Sequence, residues 1–159
     1  MKKTITITAQ SNADYIMAKS LIIEYGNEVG VDLFFQDFEA EIEKVNEVYK
    51  QPANCFLLLI ENDKAVGCAG IRVFKGKTAE LKRMYIKAGY RGKGLGSILL
   101  EKAITQAKEM GYEKLRLDTL PSMQAAQHLY RKTGFYEIAS YRFNPVDETK
   151  YFELDLKLK

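Results

Sequence analysis

The sequence predicts a mixed α/β (α+β) fold, one sheet with helices on its faces. Three features carry this expectation. Strand-length apolar runs follow one another between Cys55 and Lys87, separated by the turn signals Asn62-Asp63 and Gly76-Lys77. Leu95, Ile98, Leu99, Ala103, Ala107 and Met110 recur at helical spacing. Between these two patterns stands a glycine-rich turn, Arg91-Gly92-Lys93-Gly94-Leu95-Gly96.

Each element has a local reason. Thr4 to Thr8 alternates Thr with Ile, as a half-buried strand does. Asn12 or Asp14 offers a cap for a helix running to about Gly26, with Ile16, Ser20 and Ile23 on one face. Residues 33–38 lead into a second, amphipathic helix through Ile42 and Val45 that Pro52 ends. Residues 55–61, 65–74 and 79–87 form an antiparallel meander. With Asn62-Asp63 at the centre of its first hairpin, Cys55 falls opposite Gly70. The long helix after the glycine turn stops at Gly111. Residues 114–118 make a short strand, Ser122 a cap for a helix closed by Gly134, and residues 135–141 and 151–157 two final strands. The order is β-α-α-β-β-β-α-β-α-β-β. No linker or repeat divides the chain, so residues 1–159 are expected to form a single domain.

Composition excludes several classes. At 159 residues, 47% hydrophobic and 28% charged, the chain suits one globular core and not a disordered segment. No apolar run approaches the roughly 18–20 residues that span a bilayer. The alternating N-terminus is a poor signal peptide. A cytoplasmic protein without a membrane partner is therefore expected. The net charge of +3, with acids interleaved among the bases, gives no stripe for nucleic acid. Two cysteines, Cys55 and Cys68, and one histidine, His128, are too few for a Cys/His zinc site, so no metal is expected. Both cysteines lie in apolar runs and read as buried free thiols, and His128 as a surface or packing residue.

The glycine turn is the most informative stretch. Gly92, Gly94 and Gly96 leave no side chains to block a ligand, and their N–H groups can converge. The following helix adds its unsatisfied N–H groups and positive dipole end. Together these make a cradle suited to a pyrophosphate. A P-loop would end in Gly-Lys-Ser/Thr, whereas here the end is Gly94-Leu95-Gly96-Ser97. A dinucleotide-binding turn belongs in a parallel βαβ unit, whereas the strand before this turn closes an antiparallel meander.

Arg91-x-x-Gly94-x-Gly96, after Met84-Tyr85-Ile86 and before an amphipathic helix, resembles motif A of the GNAT N-acyltransferase superfamily. Ala126-x-x-Leu129-Tyr130-x-x-x-Gly134-Phe135 resembles its motif B. The likeness is good over residues 65–138, and the element order extends it over the chain. It implies a mostly antiparallel central sheet flanked by helices, and an enzyme that moves acetyl from acetyl-CoA to an amine. It also implies that the coenzyme is held by Met84, Tyr85 and Ile86, by the turn Arg91, Gly92, Lys93, Gly94, Leu95, Gly96 and Ser97, and by Tyr130. Met123 stands where many relatives carry an asparagine that touches the coenzyme arm. Homodimers are common among relatives.

The reaction the resemblance implies is direct attack of a neutral amine on the thioester. Tyr130 matches the tyrosine that serves relatives as general acid to the departing thiolate. Backbone N–H groups of the parted strand would stabilise the oxyanion. Two carboxylates are candidates for the general base. Glu80 shares a face with Lys82, Met84 and Ile86 if strand alternation holds, and Asp118 ends its strand. A water chain, or no protein base, stays open beside them. The acceptor is expected to be a primary amine of a small molecule. A peptide N-terminus or lysine, and a non-catalytic acyl-CoA sensor, are the alternatives. Phe34, Phe35, Asp37, Phe38, Glu39 and Glu41 could wall a cationic amine, and Arg142 could hold a carboxylate.

Overall fold

A computed structural model describes residues 3–30, 38–144 and 146–157. Strand β1 (Thr4–Thr8) leads to helix α1 (Asn12–Val29), then to the short helices α2 (Phe38–Glu43) and α3 (Val45–Val48). Strands β2 (Cys55–Glu61), β3 (Lys64–Lys75) and β4 (Thr78–Ile86) follow as the expected meander. Then come α4 (Leu95–Glu109), β5 (Lys114–Thr119), α5 (Gln124–Thr133), β6 (Tyr136–Ile138) and β7 (Lys150–Asp155). The seven strands form one sheet in the order β1-β2-β3-β4-β5-β7-β6. Every pairing is antiparallel except β4 with β5. The mixed, mostly antiparallel sheet flanked by helices is as the sequence predicts.

Each sheet face has its own core. On one, Leu95, Leu99, Leu100, Ala103 and Ala107 of α4 and Tyr130 of α5 pack on Leu57, Leu59, Ile71, Leu81, Leu115 and Leu117. On the other, Ala18, Leu21 and Ile22 of α1, with Val45 and Tyr49, pack on Phe56, Leu58, Cys68 and Tyr85. Burying each such large side chain contributes about 1.5–3 kcal/mol. Strand β3 is buried on both faces from Val66 to Ile71, so its sequence is apolar without strict alternation.

The single helix expected through Ile42 and Val45 is broken at Lys44 into α2 and α3, and local chemistry differs from expectation at four further places. Helix α1 is capped by Ser11, not Asn12 or Asp14. The Asp14 N–H donates to Ser11 Oγ at 3.1 Å and the Ser11 N–H to Asp14 Oδ2 at 3.2 Å, a capping box. Gly26 does not end the helix, which runs on to a left-handed Gly30; Gly26 instead makes room for the Phe38 ring, which a Cβ would meet at 2.6 Å. Ser122 does not cap α5, whose N-cap is Met123 without a side-chain bond. A register shift after Leu59 sets Cys55 opposite Ile71, one residue from the expected partner, and both cysteines are free and buried.

Gly70 shows how tightly the second core is filled. A Cβ there would lie 2.5 Å from Tyr49 Cε1 and 3.2 Å from Phe56 Cδ1. Gly70→Ala is expected to destabilise the fold by about 1–3 kcal/mol, read as a lower denaturant midpoint with unchanged slope.

Candidate active site

The site begins where two strands part. Strands β4 and β5 pair only from Thr78–Lys114 to Glu80–Arg116, after which the ladder ends. On its other side β4 stays paired with β3, but with a bulge: Gly70 faces Lys82 and Cys68 faces Tyr85, so Ala69 stands against both Arg83 and Met84. Arg83 takes a left-handed backbone, φ 57°. The bulge overturns the expected alternation. Glu80 and Lys82 share one face, whereas Met84 and Ile86 have crossed to the other, packed against the core that holds α4.

The parted strands open a cleft of about 480 Å³. Met84, Tyr85 and Ile86 line it from β4, and Arg91, Gly92, Gly94, Leu95 and Gly96 from the turn. Gly92 and Gly94 have φ of 78° and 80°, and a Cβ on either would meet no atom within 4 Å. The N-cap of α4 is Gly94, which has no side chain to satisfy the first-turn N–H groups. A 15-residue helix thus presents uncapped donors to open space. Lys93 and Ser97, expected at the ligand, are exposed and do not line the cleft. The Lys93 ammonium lies 5.5 Å from the centre of the Tyr90 ring.

Arg91 lines the cleft with its guanidinium already engaged. Nε donates to the Ile86 carbonyl at 2.8 Å, Nη2 to Glu28 at 2.5 Å, and the group sits 5.4 Å from the centre of the Tyr85 ring. The Tyr85 hydroxyl donates to Glu24 at 2.7 Å. The C-terminal half of α1 therefore braces β4, and its Tyr25, Glu28 and Val29 join the lining together with Tyr90 and Gln124. Sequence reasoning missed these residues. The one signal was Tyr25 and Glu28 at i, i+3 on a helix face.

From α5 come Ala126, Leu129 and Tyr130, and from its N-cap Met123. Tyr130 packs on Phe135 and Phe152, and its hydroxyl lies 3.9 Å from Met84 Sδ. Burial pushes its phenol well above the usual range, so it keeps its proton at neutral pH.

The two candidate carboxylates have separate fates. Glu80 is buried and fully engaged: Arg142 pairs with it, the Tyr141 hydroxyl donates to it at 2.8 Å, and Lys82 Nζ lies 3.9 Å away. It lines neither cavity. Asp118 lines a second cavity of about 20 Å³, the space of one water-sized group, with Tyr25, Thr119, Met123, Asn144 and Thr149. Tyr25 and Met123 also line the cleft, so the two spaces adjoin. Among the described residues, Asp118 Oδ2 and Thr119 Oγ1 are buried without a hydrogen-bond partner. Burial raises the Asp118 carboxyl above its ordinary range, against the pull of Lys82.

The expected acceptor wall dissolves in part. Phe34, Phe35 and Asp37 lie outside the described residues. Phe38 and Glu41 turn inward onto Arg83, Glu39 is exposed, and Arg142 is taken by Glu80. His128 is exposed, as expected.

The profile of the acetyltransferase (GNAT) family matches residues 21–135. An uncharacterised N-acetyltransferase of Schizosaccharomyces pombe is 33% identical over 140 residues, covering 87% of this chain and 86% of its own. A GNAT-family acetyltransferase of Staphylococcus aureus Mu50 superposes with a TM-score of 0.79 at 23% identity, over 97% of this chain and 99% of that one. A putative acetyltransferase of Salmonella typhimurium, solved with acetyl-CoA, superposes at 0.73 and 20% identity, over 96% and 94%. The chain belongs to the GNAT family, and it is an acyltransferase. Enzymes of this family draw their acetyl group from acetyl-CoA.

The residues present fit that co-substrate. The open glycine turn and uncapped α4 suit a pyrophosphate, and the unpaired edge of β4 offers backbone groups to an extended arm. Gly94→Val would strain a left-handed position and fill the space over the turn. It is expected to weaken acetyl-CoA binding about 100-fold in calorimetry, close to 3 kcal/mol, while circular dichroism shows an intact fold.

Proposed function

We propose that this chain, as a single domain, transfers acetyl from acetyl-CoA to the primary amine of a small molecule by direct attack. One observation carries the reading. A cleft of about 480 Å³ shares Tyr25 and Met123 with a water-sized polar cavity lined by Asp118, one carboxylate oxygen of which is buried without a hydrogen-bond partner. A compact polar cavity suits a compact amine head better than it suits a folded protein surface.

Acetyl-CoA supplies an activated acyl group on a good leaving thiolate. The chain's own residues handle two protons. Asp118 takes the one the amine must lose, its basicity raised by burial. Tyr130 gives one to the departing sulfur, its phenol held neutral by burial. Thr119, which also lines the small cavity, has its Oγ1 buried without a hydrogen-bond partner. Glu80 serves the site indirectly, by occupying Lys82 and Arg142. The turn from Arg91 to Gly96, with Met84 to Ile86 and Met123, holds the coenzyme.

The test is thiol release from acetyl-CoA across amines, polyamines, amino acids, aminoglycosides and short peptides. Turnover of a small amine is expected. Turnover of peptides alone would replace the small-molecule reading, and silence with tight coenzyme binding would favour a sensor. Tyr130→Phe is expected to lower kcat about 100-fold with coenzyme affinity unchanged.

Asp118 makes a pH prediction with a definite sign. Its folded pKa is raised above the unfolded value. The stability it contributes is therefore full below the unfolded pKa and lost as pH rises through the folded one. At neutral pH its half-buried carboxylate weakens the fold. Asp118→Asn is expected to raise Tm by about 2–4 °C per kcal/mol relieved, and to lower kcat/KM about 100-fold or more. Wild-type kcat/KM is expected to fall as pH drops through the raised Asp118 pKa.

A further inference from the structure

We propose that Arg83, clamped by Glu41, is a positioning residue for the coenzyme: the pair locks the β4 bulge that turns Met84 and Ile86 into the cleft. The inference rests on the acetyl-CoA reading above and adds a residue pair that makes no contact with the reaction.

The backbone shows why a lock is needed. A bulge with its first residue left-handed is glycine's preferred place, because a Cβ there is crowded. Arg83 holds φ 57° with a full side chain. Such strain persists only where the surroundings over-determine it. Here they do. Arg83 Nε donates to Glu41 Oε2 and Nη2 to Glu41 Oε1, each at 2.9 Å, a two-point clamp. The Tyr49 hydroxyl donates to the same carboxylate at 2.8 Å. The guanidinium also faces the Phe38 and Tyr25 rings, with centroids at 5.2 and 6.0 Å. The Arg83 carbonyl accepts from the Cys68 thiol at 3.3 Å. Both side chains of the pair are about 97% buried or more. Burial alone would raise the Glu41 carboxyl, yet the bonds from Arg83 hold it below its usual range.

The geometry gives the lock its consequence. Were Arg83 to pair regularly, Met84 and Ile86 would continue the phase of Glu80 and Lys82 and leave the α4 side of the cleft, which they now line, for its α1 side. The clamp reaches across from α2, and Phe38 of the same helix fills the notch at Gly26 of α1. Helices packed on one face of the sheet thereby set how the β4 edge lines a cleft that residues of both faces share.

A ligand split separates positioning from loss of fold. Acetyl-CoA engages the β4 edge through its pantetheine arm. Its nucleotide half, 3′-phospho-ADP, engages only the turn. For Arg83→Ala, calorimetry is expected to show acetyl-CoA weakened about tenfold and 3′-phospho-ADP changed less than about twofold. Arg83→Gly lacks the clamp but tolerates the backbone, and is expected to recover at least half of the logarithmic loss. Glu41→Gln keeps volume and one acceptor oxygen, guards against unfolding, and is expected to weaken acetyl-CoA alone by about threefold. Equal loss of both ligands, no loss of either, or Arg83→Gly no better than Arg83→Ala would overturn the positioning role. Wild type that fails to bind acetyl-CoA would instead overturn the reading beneath it, and this proposal with it.

Discussion

Beyond Glu80, strands β4 and β5 cease to share hydrogen bonds, and nearly everything in the site depends on that parting. Backbone groups left unpaired inside a sheet are costly unless something else satisfies them. The chain keeps β4 in place by its other edge, through β3, and by buttresses from α1. Glu24 and Glu28 hold Tyr85, Lys87 and Arg91, and Arg91 returns a bond to the Ile86 carbonyl. The gap is therefore a built feature. Its walls are held by ion pairs outside the strands, and of the β4 edge Arg91 takes the Ile86 carbonyl.

Charge is distributed around the gap so that almost every buried ion has a partner. Glu41 holds Arg83, Glu80 holds Arg142 with Lys82, and Glu153 holds Arg116 and Lys114. Asp118 is the exception, a carboxylate with one oxygen buried and unpartnered beside the cleft. Removing a carboxylate from water without a donor costs stability and raises its proton affinity together. The same arrangement that weakens the fold makes the group a better base, which is how function and stability come to oppose each other at one residue.

The elements that local chemistry dictates were legible. The glycine turn, the stripe from Leu95 to Met110, the Gly111 and Gly134 stops and the antiparallel meander all follow from spacing and backbone preference. Where a residue does two jobs, the reading slipped. Gly26 looks like a helix stop, yet it is a notch for Phe38. Glu41 looks like part of an acidic wall, yet it is a buried counter-ion. Lys93 sits inside the glycine motif, yet it is exposed and its ammonium lies over the ring of Tyr90 at the cleft's rim. Strand alternation favours Glu80 over Asp118 as the base, yet Glu80 is bonded directly by Arg142 and Tyr141, whereas Asp118 keeps an oxygen without a hydrogen-bond partner.

From its sequence alone, this protein has its strand order along the chain, its anion-cradling turn and its Tyr130 helix determined, because each rests on residues within one element or turn, and its family follows from two such local motifs at the right separation. The tertiary structure decided the phase of β4, the capture of Arg83 by Glu41, the engagement of Arg91 by Glu28 and the isolation of Asp118. Each of these joins positions tens of residues apart. A single bulged residue reverses the strand's alternation, and nothing in the local pattern of Leu81 to Ile86 announces it, since a left-handed arginine is stable only once a partner from another helix is in place.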